Sequence, residues 1–263
     1  MLNPLHTERI AASARPIAVV DLVRIGPAVW TILLTGLCLG WIARRFGPER
    51  FLDFAGAWQT AWRFNTAIGF VAIVTVVKAD EAQLAVAIGM AVPVANVFAV
   101  AGLSRGGALG VGATVRKVAL NPFLLASVAG VLVGLSGLSI PRPIMAPFEM
   151  LAAAALPIAL ISIGATMNWG ALAKLDRFSG YLCATKLILL PTLTYFGTGF
   201  VGMDAELRAV LVMFAALPTA SAAHVLAAGF GANRELVATL IAQMTLLSAV
   251  TLPSWIAVIN LAL

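Results

Sequence analysis

The chain is poor in charge. Only 11% of its 263 residues are Asp, Glu, Lys or Arg, against about 25% in a soluble globular chain. There is too little polar surface to coat a water-soluble domain, and 61% of the residues are hydrophobic with mean hydropathy +1.00. Cysteine is nearly missing. Cys38 and Cys183 both lie in apolar runs, with no disulfide or metal spacing, and read as small core residues. Acids are scarce, eleven in all, and every one falls outside the centres of the apolar runs. That argues against an intramembrane aspartyl protease, which needs two buried acids, and against a buried carboxylate as a coupling group. There is no His-Glu-x-x-His metal motif, no ATP-binding motif, and no basic-then-apolar leader pattern at residue 1. The net charge of +6 is spread between apolar runs rather than on an aromatic-rich patch, so nucleic acid is not the expected partner.

What is abundant is membrane-like sequence. A bilayer span needs about 20 apolar residues. Candidates fall near 27–43, 64–78, 83–103, 119–138, 146–167, 179–200, 207–228 and 235–261. The loops 44–63, 104–118, 168–186 and 229–234 carry Arg44, Arg45, Arg50, Arg63, Arg105, Arg116, Lys117, Lys174, Arg177, Lys186 and Arg234. The alternate loops carry Lys78, Arg142 and Arg208. Eleven against three makes the first set cytoplasmic and the C-terminus external. Trp30, Trp41, Trp58, Trp62, Trp169 and Trp255 read as an interfacial belt near the span ends.

The seventh span is broken at its centre by Leu217-Pro218-Thr219-Ala220-Ser221-Ala222-Ala223-His224. A proline removes a backbone donor and its ring clashes with the preceding turn. Such a break is tolerated in a bilayer only where protein or a water-lined cavity surrounds it, and broken helices are where secondary transporters bind solutes. Pro218, Thr219 and Ser221 are therefore candidate solute-binding residues, and a plain proline kink is the alternative.

The chain also repeats itself at an offset near 152 residues. Asn65-Thr66 falls on Leu217-Pro218, Pro93 on Thr245 and Asn96 on Ser248. Units with an odd number of helices sit upside down relative to one another, a transporter signature. The expected organisation is a polar stub at 1–26, a truncated first repeat at 27–104, a cytoplasmic linker at 105–118 and a second five-helix repeat at 119–263. Either the true start lies upstream or the first copy is shortened.

Asn65, Thr66 and Asn96 offer amides and a hydroxyl inside spans. Solute contact is the favoured role for Asn65 and Asn96, and interhelical glue for Gln243 and Thr245. His224 is the one histidine in a span, and an imidazole suits a proton-coupled step; a satisfied structural residue is the competing role. Lys186 either snorkels to the interface or gives a cavity a fixed positive charge that favours anions.

Together these stretches resemble the auxin efflux carrier family, PIN-like membrane transporters that include bacterial malonate and malate carriers. The resemblance is carried by Ala91-Val92-Pro93-Val94-Ala95-Asn96-Val97, Asn121-Pro122-Phe123, Ala155-Leu156-Pro157-Ile158-Ala159-Leu160-Ile161-Ser162-Ile163-Gly164, Ala216-Leu217-Pro218-Thr219-Ala220 and Thr245-Leu246-Leu247-Ser248-Ala249-Val250-Thr251-Leu252-Pro253. It implies an all-α polytopic membrane fold of two inverted five-helix repeats, with two broken helices crossing at the solute site, here 64–78 and 207–228. The chain departs from the family pattern twice. The first helix and most of the second are not represented, and Ile68-Gly69-Phe70-Val71-Ala72-Ile73 runs on without the proline of the first broken helix.

The expectation is a secondary transporter of the plasma (bacterial inner) membrane. It moves a small, carboxylate-like organic anion by alternating access and is not an enzyme. The alternative is a degenerate or partner-dependent membrane subunit without transport of its own. An intramembrane enzyme has little support, since Ser221 and His224 share a helix face without a Gly-x-Ser-Gly elbow. The expected partners are an anionic solute and the lipid bilayer, with a homodimer left open; no cofactor or metal is implied.

Overall fold

A computed structural model describes residues 19–73, 81–106, 140–166 and 169–262, with single positions between 112 and 138. Among these residues the fold is helical, with no strand. Residues 1–18 of the expected stub, 74–78 of the second span, and most of 105–118 and 119–138 lie outside the described residues.

The first helix, α1 (Val19–Ile42), begins eight residues before the span expected at 27. Ile25, Val29, Ile32 and Leu33 recur at helical spacing and are all buried. This periodicity carries the helix back past Pro27 into the stretch taken for a stub. Next come α2 (Phe51–Trp58), continued by a 3-10 turn Gln59–Ala61, the short α3 (Thr66–Ala72), and α4 (Glu81–Gly106). After α5 (Arg142–Thr166) and a 3-10 stretch Trp169–Lys174, α6 (Arg177–Ala184), a π turn Thr185–Leu189 and α7 (Leu190–Phe200) follow without interruption. The chain ends with α8 (Ala205–Ala216), α9 (Ala222–Gly229) and α10 (Arg234–Ala262).

Three described helical segments are long and apolar enough to cross a membrane by length and composition: Leu22–Arg45, Gln83–Gly106 and Arg234–Leu261. At 1.5 Å per residue a 24-residue helix reaches ~36 Å, more than the ~30 Å hydrocarbon core. Their outward faces are apolar, with Val23, Leu34, Val97, Val250 and Leu261 exposed. This fits an integral membrane protein, in which lipid covers surface that water would not. Cys38 is on such an outward face rather than in the core.

The core is built where α1 packs along α4, α2 on α4, α7 along α8, and α8 on α10. Two helix starts are fixed by acids. Asp176 and Ser179 form a capping box at α6. Asp204 accepts the Leu207 N–H at 3.0 Å to open α8. The tryptophans do not form one belt. Trp58 and Trp62 are buried in an aromatic chain that runs from Phe54 through both of them to Phe98. Helix α2 and the 3-10 turn that continues it point them inward, which composition near a span end does not reveal.

Candidate functional site

Two breaks in the helical backbone meet inside this bundle. The first separates α2 from α3 at residues 62–65, and the second separates α8 from α9 at residues 217–221. They are hydrogen-bonded to each other. The Asn65 N–H donates to the Pro218 carbonyl at 2.8 Å. Two rings close the same contact, Phe64 stacking on Phe214 with centroids 4.1 Å apart. A Cβ on Gly69 would come within 2.8 Å of a Leu217 methyl, so the arms pass at glycine range.

The breaks arise differently. In the second arm Pro218 has no N–H to give. The Leu217 N–H bonds back to the Phe214 carbonyl at 3.3 Å, tightening the last turn of α8. In the first arm Trp62-Arg63-Phe64-Asn65 contains neither proline nor glycine. There the Asn65 carboxamide caps α3, its Oδ1 accepting the Ile68 N–H at 3.3 Å. The Asn65 side chain is thus committed to its own helix start, and its main-chain N–H makes the crossing.

Two cations are buried at this place. Arg63, 7% exposed, donates through Nη2 to Asn96 Oδ1 at 3.1 Å and through Nη1 to Gln59 Oε1 at 3.4 Å. Gln59 in turn donates to the Ala223 carbonyl at 3.3 Å, linking α2 to α9. Lys186 is fully buried. Its ammonium donates to the Ala215 carbonyl at 2.9 Å and lies 3.7 Å above the centroid of the Phe64 ring. The π turn Thr185–Leu189 aims it there. A cation at the last carbonyls of α8 suits the negative end of that helix dipole. Among the described residues neither cation is paired with an acid.

Arg63 was counted above with the cytoplasmic loop charges, and so was Lys186. Lys186 lies in the π turn and Arg63 in the break between α2 and α3, and neither faces water. Both belong to the buried interior, and the loop asymmetry that remains is correspondingly smaller. Snorkelling is excluded for Lys186 by its complete burial.

A cavity of about 140 Å³ adjoins the crossing, walled by Arg63, Phe64, Thr66, Ala91, Val92, Ala95, Asn96, Phe214, Ala220 and Ala222. Of the residues singled out in the sequence, Thr66 and Asn96 line it. Asn65, Pro218 and Thr219 are buried at the crossing but stand outside the cavity wall. Thr219 Oγ1 has no hydrogen-bond partner. Ser221 is exposed and makes no side-chain cap for α9. His224 is half-buried on α9. Gln243 donates to the Ala171 carbonyl at 2.9 Å, tying α10 to the preceding 3-10 stretch. The residue that sequence reasoning missed is Arg63. Its one signal is its place two residues before Asn65, the first-arm position that the 152-residue offset matches to Leu217.

Comparison with known proteins gives the wider setting. The model of the family described as "Membrane transport protein" matches residues 110–256. This stretch holds the second break, Lys186 and His224; the first arm precedes it. A "Putative malonate transporter" of Rhizobium meliloti (strain 1021) is 33% identical over 137 residues, covering 52% of this chain. The aligned stretch is 43% of that relative's length. The family match extends over more than half of the chain and includes the broken Leu217-Pro218 segment. The chain therefore belongs to the membrane transport protein family, the auxin efflux carrier family that its motifs resemble.

Proposed function

We propose that this protein is a secondary transporter that carries a small organic anion with a carboxylate group across the bacterial inner membrane. Solute sits beside the crossing of the two broken helices, and alternating access comes from rocking one helical bundle against the other around it. The arms derive from two inverted repeats, 27–104 and 119–263, joined by a linker at 105–118. Asn65, Thr66, Asn96, Pro218, Thr219 and Ser221 form or shape the solute site, with Lys186 supplying charge and His224 a proton-handling role.

The observation that carries this reading is the bond from Asn65 N–H to the Pro218 carbonyl beside two buried cations that pair with no acid among the described residues. Irregular backbone at membrane depth is favourable only where it is enclosed or lines a cavity. Uncompensated cations in that position attract anions. Malonate in the name of the Rhizobium meliloti relative is a dicarboxylate, consistent with this solute class.

The test is uptake of radiolabelled malonate and propionate into proteoliposomes. Pro218→Leu, which restores the missing backbone donor, and Asn65→Pro, which removes the N–H that bonds the Pro218 carbonyl, should each cut uptake at least tenfold while the protein remains inserted and folded. Uptake at the wild-type rate in both variants overturns the reading.

A further inference from the structure

The cavity beside the crossing is chemically one-sided. Its polar groups are Arg63, Thr66 and Asn96, and the rest of its wall is Phe64, Phe214 and small aliphatic residues. Arginine carries five N–H donors and no acceptor. Two of those donors go to neutral oxygens, on Gln59 and Asn96, leaving the guanidinium charge without an acidic partner among the described residues. Because Arg63 can only donate, the amide oxygen of Asn96 must face it. That turns Asn96 Nδ2 away, and this nitrogen is buried with no partner. A buried charge without a counter-charge and a buried donor without an acceptor are both costly. Both deficits have the same sign, and both are met by oxygens carrying negative charge.

We infer, resting on the transport reading above, that Arg63 and Asn96 together hold one carboxylate group of the solute and that the site reads a single carboxylate. Arg63 and Asn96 are hydrogen-bonded neighbours that both wall the cavity, so their unused N–H donors are available to the two oxygens of one carboxylate. Asn96 is on α4 and Arg63 at the first break, so this pairing exists only when those two elements are packed together. Among the described residues the remaining wall offers no second free cation. Lys186 is engaged by the Ala215 carbonyl and the Phe64 ring and does not line the cavity. The far part of the solute therefore meets Ala91, Val92, Ala95, Ala220 and Ala222, which suit a short apolar body or an uncharged end. The volume is on the order of ten times what one water needs by the same measure, room for a small acid. A monocarboxylate or a singly ionised dicarboxylate fits this wall, and a dianion does not.

Two variants of the full-length protein test this, with radiolabelled propionate and malonate as probes for both binding in detergent and uptake in proteoliposomes. Arg63→Gln keeps donors but removes the charge, and should weaken propionate binding at least tenfold. Asn96→Asp places a permanent carboxylate against Arg63. It should also weaken binding at least tenfold while leaving thermal stability equal to or above the wild type, which separates loss of the site from loss of the fold. Malonate uptake should follow the singly ionised species as pH is raised. If both variants bind propionate as the wild type does while Pro218→Leu abolishes uptake, the crossing remains the transport site and the Arg63–Asn96 assignment falls. If malonate uptake follows the dianion instead, the single-carboxylate reading is overturned.

Discussion

Replacing Lys186 by methionine separates its cost to the fold from its use. The side chains are similar in length, so the change removes the charge with little change in volume. Lost are a charge-assisted hydrogen bond to the Ala215 carbonyl at 2.9 Å, worth about 1.5–3 kcal/mol, and a desolvated cation–π contact with Phe64 at 3.7 Å, worth about 2 kcal/mol. Against this, an ammonium buried without an acid no longer has to be desolvated, a relief of several kcal/mol. The opposing contributions are of similar size, so Lys186→Met should change stability by less than about 2 kcal/mol in either direction. Lys186→Ala, which also leaves a cavity, should lose about 2–5 kcal/mol. Function should respond differently. At a separation of about 8 Å, an effective dielectric of about 20 gives roughly 2 kcal/mol of attraction between the ammonium and an anion held in the cavity. That predicts about a thirtyfold rise in the KM of an anionic solute in Lys186→Met. Denaturant titration in detergent and proteoliposome uptake measure the two halves. A loss of 3–5 kcal/mol with unchanged KM would refute the reasoning, because Lys186 would then be holding the fold and not serving the anion.

Two further outcomes concern the frame around the crossing. A Cβ on Gly106 would lie 2.6 Å from the Leu52 Cα and 2.9 Å from its nitrogen, so Gly106→Ala must push α4 off α2; a loss of about 1–3 kcal/mol is expected, and an unchanged melting temperature would contradict it. Asp53 Oδ1 accepts the Asn233 N–H at 2.7 Å and lies 3.7 Å from Arg50, holding α2 to the turn before α10. Asp53→Ala should lose about 1.5 kcal/mol and expose the Asn233 amide to hydrogen exchange, whereas retained protection would show that the turn is held by other contacts.

The second arm was legible because proline writes its effect into the chain at the residue where it acts. Leu217-Pro218 told where α8 must stop. The first arm was not, since Trp62-Arg63-Phe64-Asn65 has no residue that forbids a helix. Its break is imposed by contacts with residues far away in sequence, Pro218 and Phe214 among them. Charge was misread for a related reason. Counting Arg63 and Lys186 as loop residues assumes that a cation between apolar runs faces water, and hydropathy records composition but not direction. The π turn that aims Lys186 inward leaves no mark in composition either. Asn65 was singled out for an amide that could meet solute; it stands at the crossing through its main-chain N–H, and its carboxamide oxygen is taken by the Ile68 N–H. Arg63, which sequence reading left among the loops, is the cation that lines the cavity.

The unequal origin of the two breaks gives the crossing a stiff partner and a compliant one. Pro218 leaves its arm one backbone donor short whatever packs around it, because the missing N–H is a covalent fact. Residues 62–65 are under no such covalent prohibition. Their interruption is held instead by packing, through the Asn65 N–H on the Pro218 carbonyl and Phe64 on the Phe214 ring. One arm is thus interrupted by its own covalent structure, and the other only by the company it keeps.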